Sequence, residues 1–364
     1  MAALEAEEGG GGMQGGGGGP GEGPRLLFDV KAGHFTVNLG NTREILTGLK
    51  YVAAHYNAIN TPEKCMDGTR VNIIKDLIAQ LTSAPDSIRL VMLSGVAGSG
   101  KSTIAKTVAT ILAEEKNTLA ASFFFSRDHT DRNNINHLAM TLAMQLADYS
   151  PGFQTHLIEL LEKGGAGIFH TEPHLQFQKL VVGILEKLPP CSKPWVICLD
   201  ALDECGEDRG QIFLRWLSDS IAQIPAHIRF FLTGRPDVPS YLKFDTLLSL
   251  VHRVVLDEIE PSIVQGDIHL YVQQSLNGAN WITRHPWKIQ EKQAEEITTR
   301  ANGLFVFAAT FTLPQESVDD LLDGETLTDL HDLYLRIVNY AIPLAPHRDR
   351  PPGTFGLPES GGVA

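Results

Sequence analysis

Cysteine is scarce in this chain: four residues in 364, Cys65, Cys191, Cys198 and Cys205. Their spacing offers neither a disulfide framework nor a paired C-x-x-C zinc site, so they read as reduced thiols in the core or at the surface. Positive charge is also short, with 30 Lys plus Arg against 43 Asp plus Glu and a formal net charge of −13. No Lys/Arg-rich stretch offsets that balance, which argues against nucleic acid as the main partner. No apolar run is long enough to span a bilayer, the longest lying around Gly303 to Leu313, and Met1-Ala2-Ala3-Leu4-Glu5 opens neither a basic nor an apolar leader. The expectation is a cytoplasmic protein with no membrane partner. The histidines are scattered, with no pair at metal-ligand spacing and none beside a nucleophile.

What is present is a chain with 43% apolar residues, enough to bury a sizeable core over two or three domains. Residues 9 to 19 are almost all glycine, so residues 1–25 are expected to form a disordered tail. Residues 26–84 form an N-terminal segment whose clearest element is a helix bearing Val71, Ile74, Ile78 and Leu81 on one face. From 85 to 260, β-rich runs alternate with helical stripes. Strands are expected at Leu90 to Leu93, Leu119 to Phe125, Trp195 to Leu199, Ile228 to Leu232 and Val254 to Leu256, with helices bearing Ile104, Val108, Ile111 and Leu112, then Leu138, Leu142 and Leu146, then Phe213, Leu214 and Leu217. Alternation of this kind predicts an α/β doubly wound parallel sheet. A helical subdomain follows over 261–342, with patterns across Ile268 to Leu276, Ile289 to Ala301 and Asp329 to Ala341, and residues 343–364 read as a disordered tail.

The sharpest motif is Gly95-Val96-Ala97-Gly98-Ser99-Gly100-Lys101-Ser102, which fits G-x-x-x-x-G-K-[ST] and follows a buried strand. Its glycines let consecutive backbone N–H groups turn inward around a phosphate chain. Lys101 adds a point charge toward the β- and γ-phosphates, and the Ser102 hydroxyl is placed to hold Mg²⁺.

Phosphoryl chemistry also needs carboxylates on the far side of the metal. The run Val196-Ile197-Cys198-Leu199-Asp200 ends a strand at the carboxyl edge of the sheet, where ligands bind in such folds, making Asp200 the Mg²⁺-side carboxylate. Three residues on, Asp203 and Glu204 stand within reach of an attacking water, and one of them is the catalytic base. The next strand ends Leu232-Thr233-Gly234-Arg235, placing a guanidinium at the same edge. Arg235 there either senses the γ-phosphate by bidentate hydrogen bonds, pairs with Asp200 or Asp203, or caps the strand.

Together these segments resemble a NACHT-type P-loop NTPase of the STAND class, in the nephrocystin-like form found in large fungal signalling proteins. The resemblance rests on Cys65-x-x-Gly68-Thr69-Arg70, GVAGSGKST over Gly95 to Thr103, FFFSR over Phe123 to Arg127, LDALDEC over Leu199 to Cys205 and LTGRPD over Leu232 to Asp237. It continues through Asp267-Ile268 with Tyr271, NGLFVFAAT over Asn302 to Thr310, and LYLRI over Leu333 to Ile337, about residues 60 to 342 in all. It implies ATP or GTP at Gly95 to Thr103, Mg²⁺ at Ser102 and Asp200, water activation by Asp203 or Glu204, and Arg235 as sensor. It also implies sheet order 5-1-4-3-2, counting the five expected strands along the chain, with the Arg235 strand between the loop strand and the Asp200 strand.

The function expected is a nucleotide-dependent signalling switch: slow Mg²⁺-dependent NTP hydrolysis, a homo-oligomer in the triphosphate state, and protein signalling partners. A metabolic P-loop kinase would need an acceptor pocket and an Arg-rich mobile lid, and the helical region shows no such Arg cluster. A motor-type ring ATPase and a truncated module that binds nucleotide without signalling output are the remaining alternatives.

Overall fold

The computed structural model describes residues 25–29, 34–38, 51–83, 88–163, 165–206, 210–235, 249–277 and 291–312. The glycine-rich run, the helix expected over Asp329 to Ala341 and the C-terminal tail lie outside them. Strands β1 (Arg25–Asp29) and β2 (His34–Asn38) pair as an antiparallel hairpin, which the alternation of apolar residues did not announce. Helix α1 (Val71–Ser83) follows, burying Leu77 and Leu81.

The central unit then runs β3 (Leu90–Ser94), α2 (Lys101–Glu114), β4 (Leu119–Phe124), α3 (Leu138–Tyr149), α4 (Pro151–Glu162), a helical run from Pro173 to Leu185 with a π-turn at Gln178–Val182, β5 (Trp195–Asp200), α5 (Gln211–Ser220), β6 (Ile228–Gly234) and β7 (Val251–Val255). All neighbouring strands of the five-stranded sheet are parallel, in spatial order β4-β5-β6-β3-β7. Read from the other edge, this is the expected 5-1-4-3-2 order of a P-loop NTPase-type sheet. Strand β6 separates the loop strand β3 from the Asp200 strand β5.

Side chains alternate across the sheet with period two. Leu90 and Met92 of β3, Ile197 and Leu199 of β5, and Phe230 and Leu232 of β6 face α3, α4, the Pro173 to Leu185 run and α5. Val91, Leu93, Val196, Cys198 and Phe231 face α1 and α2. Both faces are covered, so the strands are apolar along their length rather than alternately polar. Truncating Phe231, which is fully buried, to Ala should cost about 3–5 kcal/mol.

Helix α4 buries Phe153, Leu157, Ile158 and Leu161, and the run from Pro173 to Leu185 buries Phe177, Leu180, Val181 and Ile184, both at helical spacing. Neither is among the expected helices, although α4 also has a readable start. Ser150 caps it by accepting from the Phe153 N–H at 3.3 Å, and Pro151 occupies the first turn. Among the described residues beyond β7 only helical elements occur. Helices α6 (Pro261–Asn277), α7 (Glu291–Ala301) and α8 (Phe305–Thr312) share a separate small core of Val264, Ile268, Val272, Leu276, Ile297 and Phe307.

Candidate functional site

The loop between β3 and α2 is shaped by its glycines. Gly98 (φ 80°) and Gly100 (φ 92°) sit in the left-handed region, where side chains are costly. Gly100 is also the N-cap of α2, and no side chain caps that helix end. The first N–H groups of a helix have no partner within it, so this 14-residue helix presents free donors and the positive end of its dipole. Lys101 Nζ folds back to donate to the Gly95 and Val96 carbonyls, 2.8 Å each. Burial pushes its ammonium pKa down, while the Asp203 and Asp200 carboxylates pull it back up. The Asp257 carboxylate, on the turn after β7, accepts from the Val96 N–H at 3.2 Å and so ties the loop to the start of the helical subdomain.

Across from this loop stands the acid cluster. Asp200 ends β5 at 1% exposure. Burial pushes its carboxyl up to about 6, opposed by hydrogen bonds from Thr233 and Ser102 and by Lys101, and reinforced by Glu204. The chain then turns sharply through Ala201, a non-glycine residue at φ 57°, ψ 50°, into a single 3₁₀ turn, Leu202–Glu204. Such a conformation costs on the order of 1–2 kcal/mol and marks a turn held by its surroundings. Asp203 receives the Arg235 Nε–H at 2.9 Å. Glu204 Oε2 accepts from the Arg127 N–H at 3.0 Å, where the chain leaves β4.

One cavity of about 910 Å³ joins these parts, its walls including Gly98, Gly100, Lys101, Ser102 and Thr103 on one side and Asp203, Glu204 and Arg235 on the other. Ala97 lines it too, whereas Gly95, Val96, Ser99 and Asp200 of the sequence-derived set do not. Val96 and Ser99 shape the loop from behind, Ser99 Oγ donating to the Val96 carbonyl at 2.8 Å. Of the three roles open to Arg235, the structure shows pairing with Asp203.

Sequence reasoning assigned no role to four residues that shape the site. Thr233 and Asp257 make the contacts to Asp200 and Val96 described here. Arg70, at 3% exposure and φ 56°, donates from Nη2 to the Ser99 carbonyl at 3.1 Å, and its guanidinium lies 4.6 Å from the Phe305 ring centroid. Its Nη1 has no hydrogen-bond partner among the described residues. Tyr271 meets Phe305 edge-on, 5.9 Å between ring centroids, and both line the cavity. Phe305, with the Arg70 guanidinium and Tyr271 against it, gives the cavity an aromatic section of wall. The signal for Thr233 was a hydroxyl directly after the apolar run Phe230-Phe231-Leu232.

Comparison with known proteins places the site in context. The family described as "Nephrocystin 3, N-terminal" matches residues 68–235, from the Gly-Thr-Arg before α1 to Arg235. No curated protein matches. Among solved structures, the chain is similar to a Walker-type ATPase of Pyrococcus abyssi, with 15% identity, TM-score 0.43, and 78% of this chain and 75% of that one covered. It is also similar to domain III of the Thermotoga maritima replication initiation protein DnaA, with 11% identity, TM-score 0.38, and coverage of 76% and 95%.

Proposed function

We propose that the chain is a nucleoside triphosphate-binding switch of the NACHT type within the STAND class, hydrolysing ATP or GTP slowly with Mg²⁺ and assembling with its own copies in the triphosphate state. The observation that carries this reading is a cavity between an uncapped helix N-terminus bearing Lys101 and the Asp203, Glu204 and Arg235 cluster, with the buried Asp200 ending the strand that leads into it. Positive loop and negative strand end face each other across β6.

The donor set suits Mg²⁺. The Ser102 hydroxyl and the Asp200 carboxylate are hard oxygen ligands near enough for Ser102 to draw the Asp200 pKa down, and a cation usually held by one or two protein oxygens plus phosphate needs little more. Bound there, the metal would neutralise developing charge on the phosphate oxygens. The loop amides and Lys101 hold the phosphate chain. Asp203 or Glu204 takes the proton of the attacking water, and Arg235 exchanges its contact with Asp203 for one with the γ-phosphate. The aromatic wall of Tyr271 and Phe305 supports a stacked base.

The test is the nucleotide carried through purification, together with turnover. Retained diphosphate and turnover far below the roughly 10 s⁻¹ typical of enzymes support the switch. Phosphate passed to a small acceptor would identify a kinase instead. Tight binding with no hydrolysis would leave a nucleotide-binding module.

A further inference from the structure

Asp200 is held partly from the neighbouring strand. Thr233 Oγ1 donates to Asp200 Oδ1 at 2.5 Å and accepts from the Ala201 N–H at 2.9 Å. One hydroxyl therefore uses its only donor on the carboxylate and a lone pair on the next amide. Thr233 is fully buried within a strand that is buried along its whole length. A hydroxyl placed there is costly unless paired, and valine would fill nearly the same volume. Both of its contacts fall at the point where the chain turns through left-handed Ala201 toward Asp203 and Glu204. Thr233 and Arg235 are two residues apart, hence on the same side of the strand end. The first reaches Asp200 and the second reaches Asp203.

We propose that Thr233 is a positioning residue for the metal-side carboxylate: its hydroxyl fixes the orientation of Asp200 toward Ser102 and the turn from which both acids emerge. The proposal rests on the assignment of Asp200 and Ser102 to Mg²⁺. That ion demands near-octahedral geometry, so a carboxylate free to rotate loses affinity although its charge is kept. Removing a hydrogen-bond partner of a metal ligand typically weakens metal affinity 10- to 100-fold.

The experiment is calorimetric titration of a non-hydrolysable triphosphate at a series of Mg²⁺ concentrations, for the wild-type chain, Thr233→Val and Thr233→Ser. Metal-free affinity should agree within about twofold in all three, because Thr233 touches neither the loop amides nor Lys101. Thr233→Val should raise the Mg²⁺ concentration giving half of the affinity gain at least about tenfold. Thr233→Ser, which keeps the hydroxyl, should return it to within about threefold of wild type. A wild-type Mg²⁺ requirement in Thr233→Val overturns the proposal. So does a Thr233→Ser variant as impaired as Thr233→Val, since the methyl group and not the hydroxyl would then matter. If Thr233→Val does not fold, Thr233→Ala removes the same hydroxyl and is read by the same criteria. Wild-type protein indifferent to Mg²⁺ overturns the underlying metal assignment, and this shows before any variant is made.

Discussion

Arg235 Nε donates to Asp203 Oδ2 at 2.9 Å, joining the end of β6 to the turn that follows β5. The guanidinium is 39% exposed toward the cavity, whereas the Asp203 side chain is only 7% exposed. The acid is thus fixed, and the cation is the partner with room to move. A guanidinium leaving this contact for a γ-phosphate would keep a charge-assisted hydrogen bond and free the carboxylate to accept a proton from water.

Arg235→Ala should therefore weaken triphosphate binding more than diphosphate binding, reducing the preference between them at least about tenfold, the range for a hydrogen bond to a charged group. Arg235→Lys should restore little of it, because an ammonium cannot reproduce planar two-pronged recognition. Competitive binding of the two nucleotides to each variant measures the ratio. An unchanged ratio in Arg235→Ala would remove the residue from γ-phosphate sensing.

Lys101→Ala should weaken triphosphate binding by at least about tenfold, since a hydrogen bond to a charged group is worth ~1.5–3 kcal/mol. The ammonium rests on the Gly95 and Val96 carbonyls and also offsets the charge of the buried Asp200 carboxylate, so its loss removes part of that compensation. Calorimetry on the folded variant, checked by its melting curve, measures the affinity loss.

Asp203→Asn should leave binding nearly intact while slowing hydrolysis roughly 10²–10⁴-fold, the usual contribution of a positioned general base. Glu204→Gln is the paired variant, because both acids lie on the same 3₁₀ turn. The structure separates their surroundings: Asp203 is held by a side chain that can leave, Glu204 by the backbone N–H of Arg127. Asp200→Asn should instead lose Mg²⁺ dependence first. Single-turnover hydrolysis with prebound ATP and Mg²⁺ distinguishes the three, and wild-type rates in both the Asp203 and Glu204 variants would sink the mechanism.

Much of this arrangement was legible before any coordinates, and the reason is local. Strands covered on both faces read as short continuous apolar runs, and the glycine-rich loop and the acids after Leu199 are contiguous motifs, so the strands and the opposed halves of the site followed from them, while the sheet order came with the resemblance. What escaped depends on contacts between distant residues. Asp257 meets a loop amide 161 positions away, and Thr233 meets Asp200 across 33. Neither pairing has a spacing to read. Helix α4 and the run from Pro173 to Leu185 are not among the expected helices although their signal is local: Phe153, Leu157 and Leu161, then Phe177, Leu180, Val181 and Ile184, recur at helical spacing, and Ser150-Pro151 marks a start.

Asp200 also sets a pH dependence. Burial raises its pKa from 3.8 to about 6, so between these values the folded chain holds the proton more tightly than the unfolded chain does. Above pH 6 the cost of the buried charge is present in full. It is relieved as pH falls through 6 and is gone below about pH 4. Asp200→Asn, neutral at every pH, should gain stability over wild type most above pH 6, with the gain shrinking toward pH 4. Thermal melts in a metal chelator across that range measure it. With metal present, the same protonation competes with Mg²⁺, so Mg²⁺-dependent nucleotide affinity of the wild-type chain should fall as pH drops below about 6.

The seating of α8 on the phosphate loop gives the last prediction. Val306 N–H donates to the Gly98 carbonyl at 3.2 Å, and a Cβ built on Gly98 would lie 2.3 Å from Val306 Cγ1. Gly98 also has φ 80°, so Gly98→Ala incurs two separate costs. The first is the left-handed backbone, on the order of 1–2 kcal/mol for a residue with a Cβ. The second is the clash, relieved only if the helical subdomain shifts away from the loop. Pairing Gly98→Ala with Val306→Ala removes the offending methyl groups but leaves the backbone cost. The double variant should therefore be more stable than the sum of the single effects predicts, a coupling within the 0.5–3 kcal/mol seen for residues in contact. Chemical denaturation of the four proteins of the cycle measures it. Strict additivity would mean that α8 does not rest on Gly98 in solution.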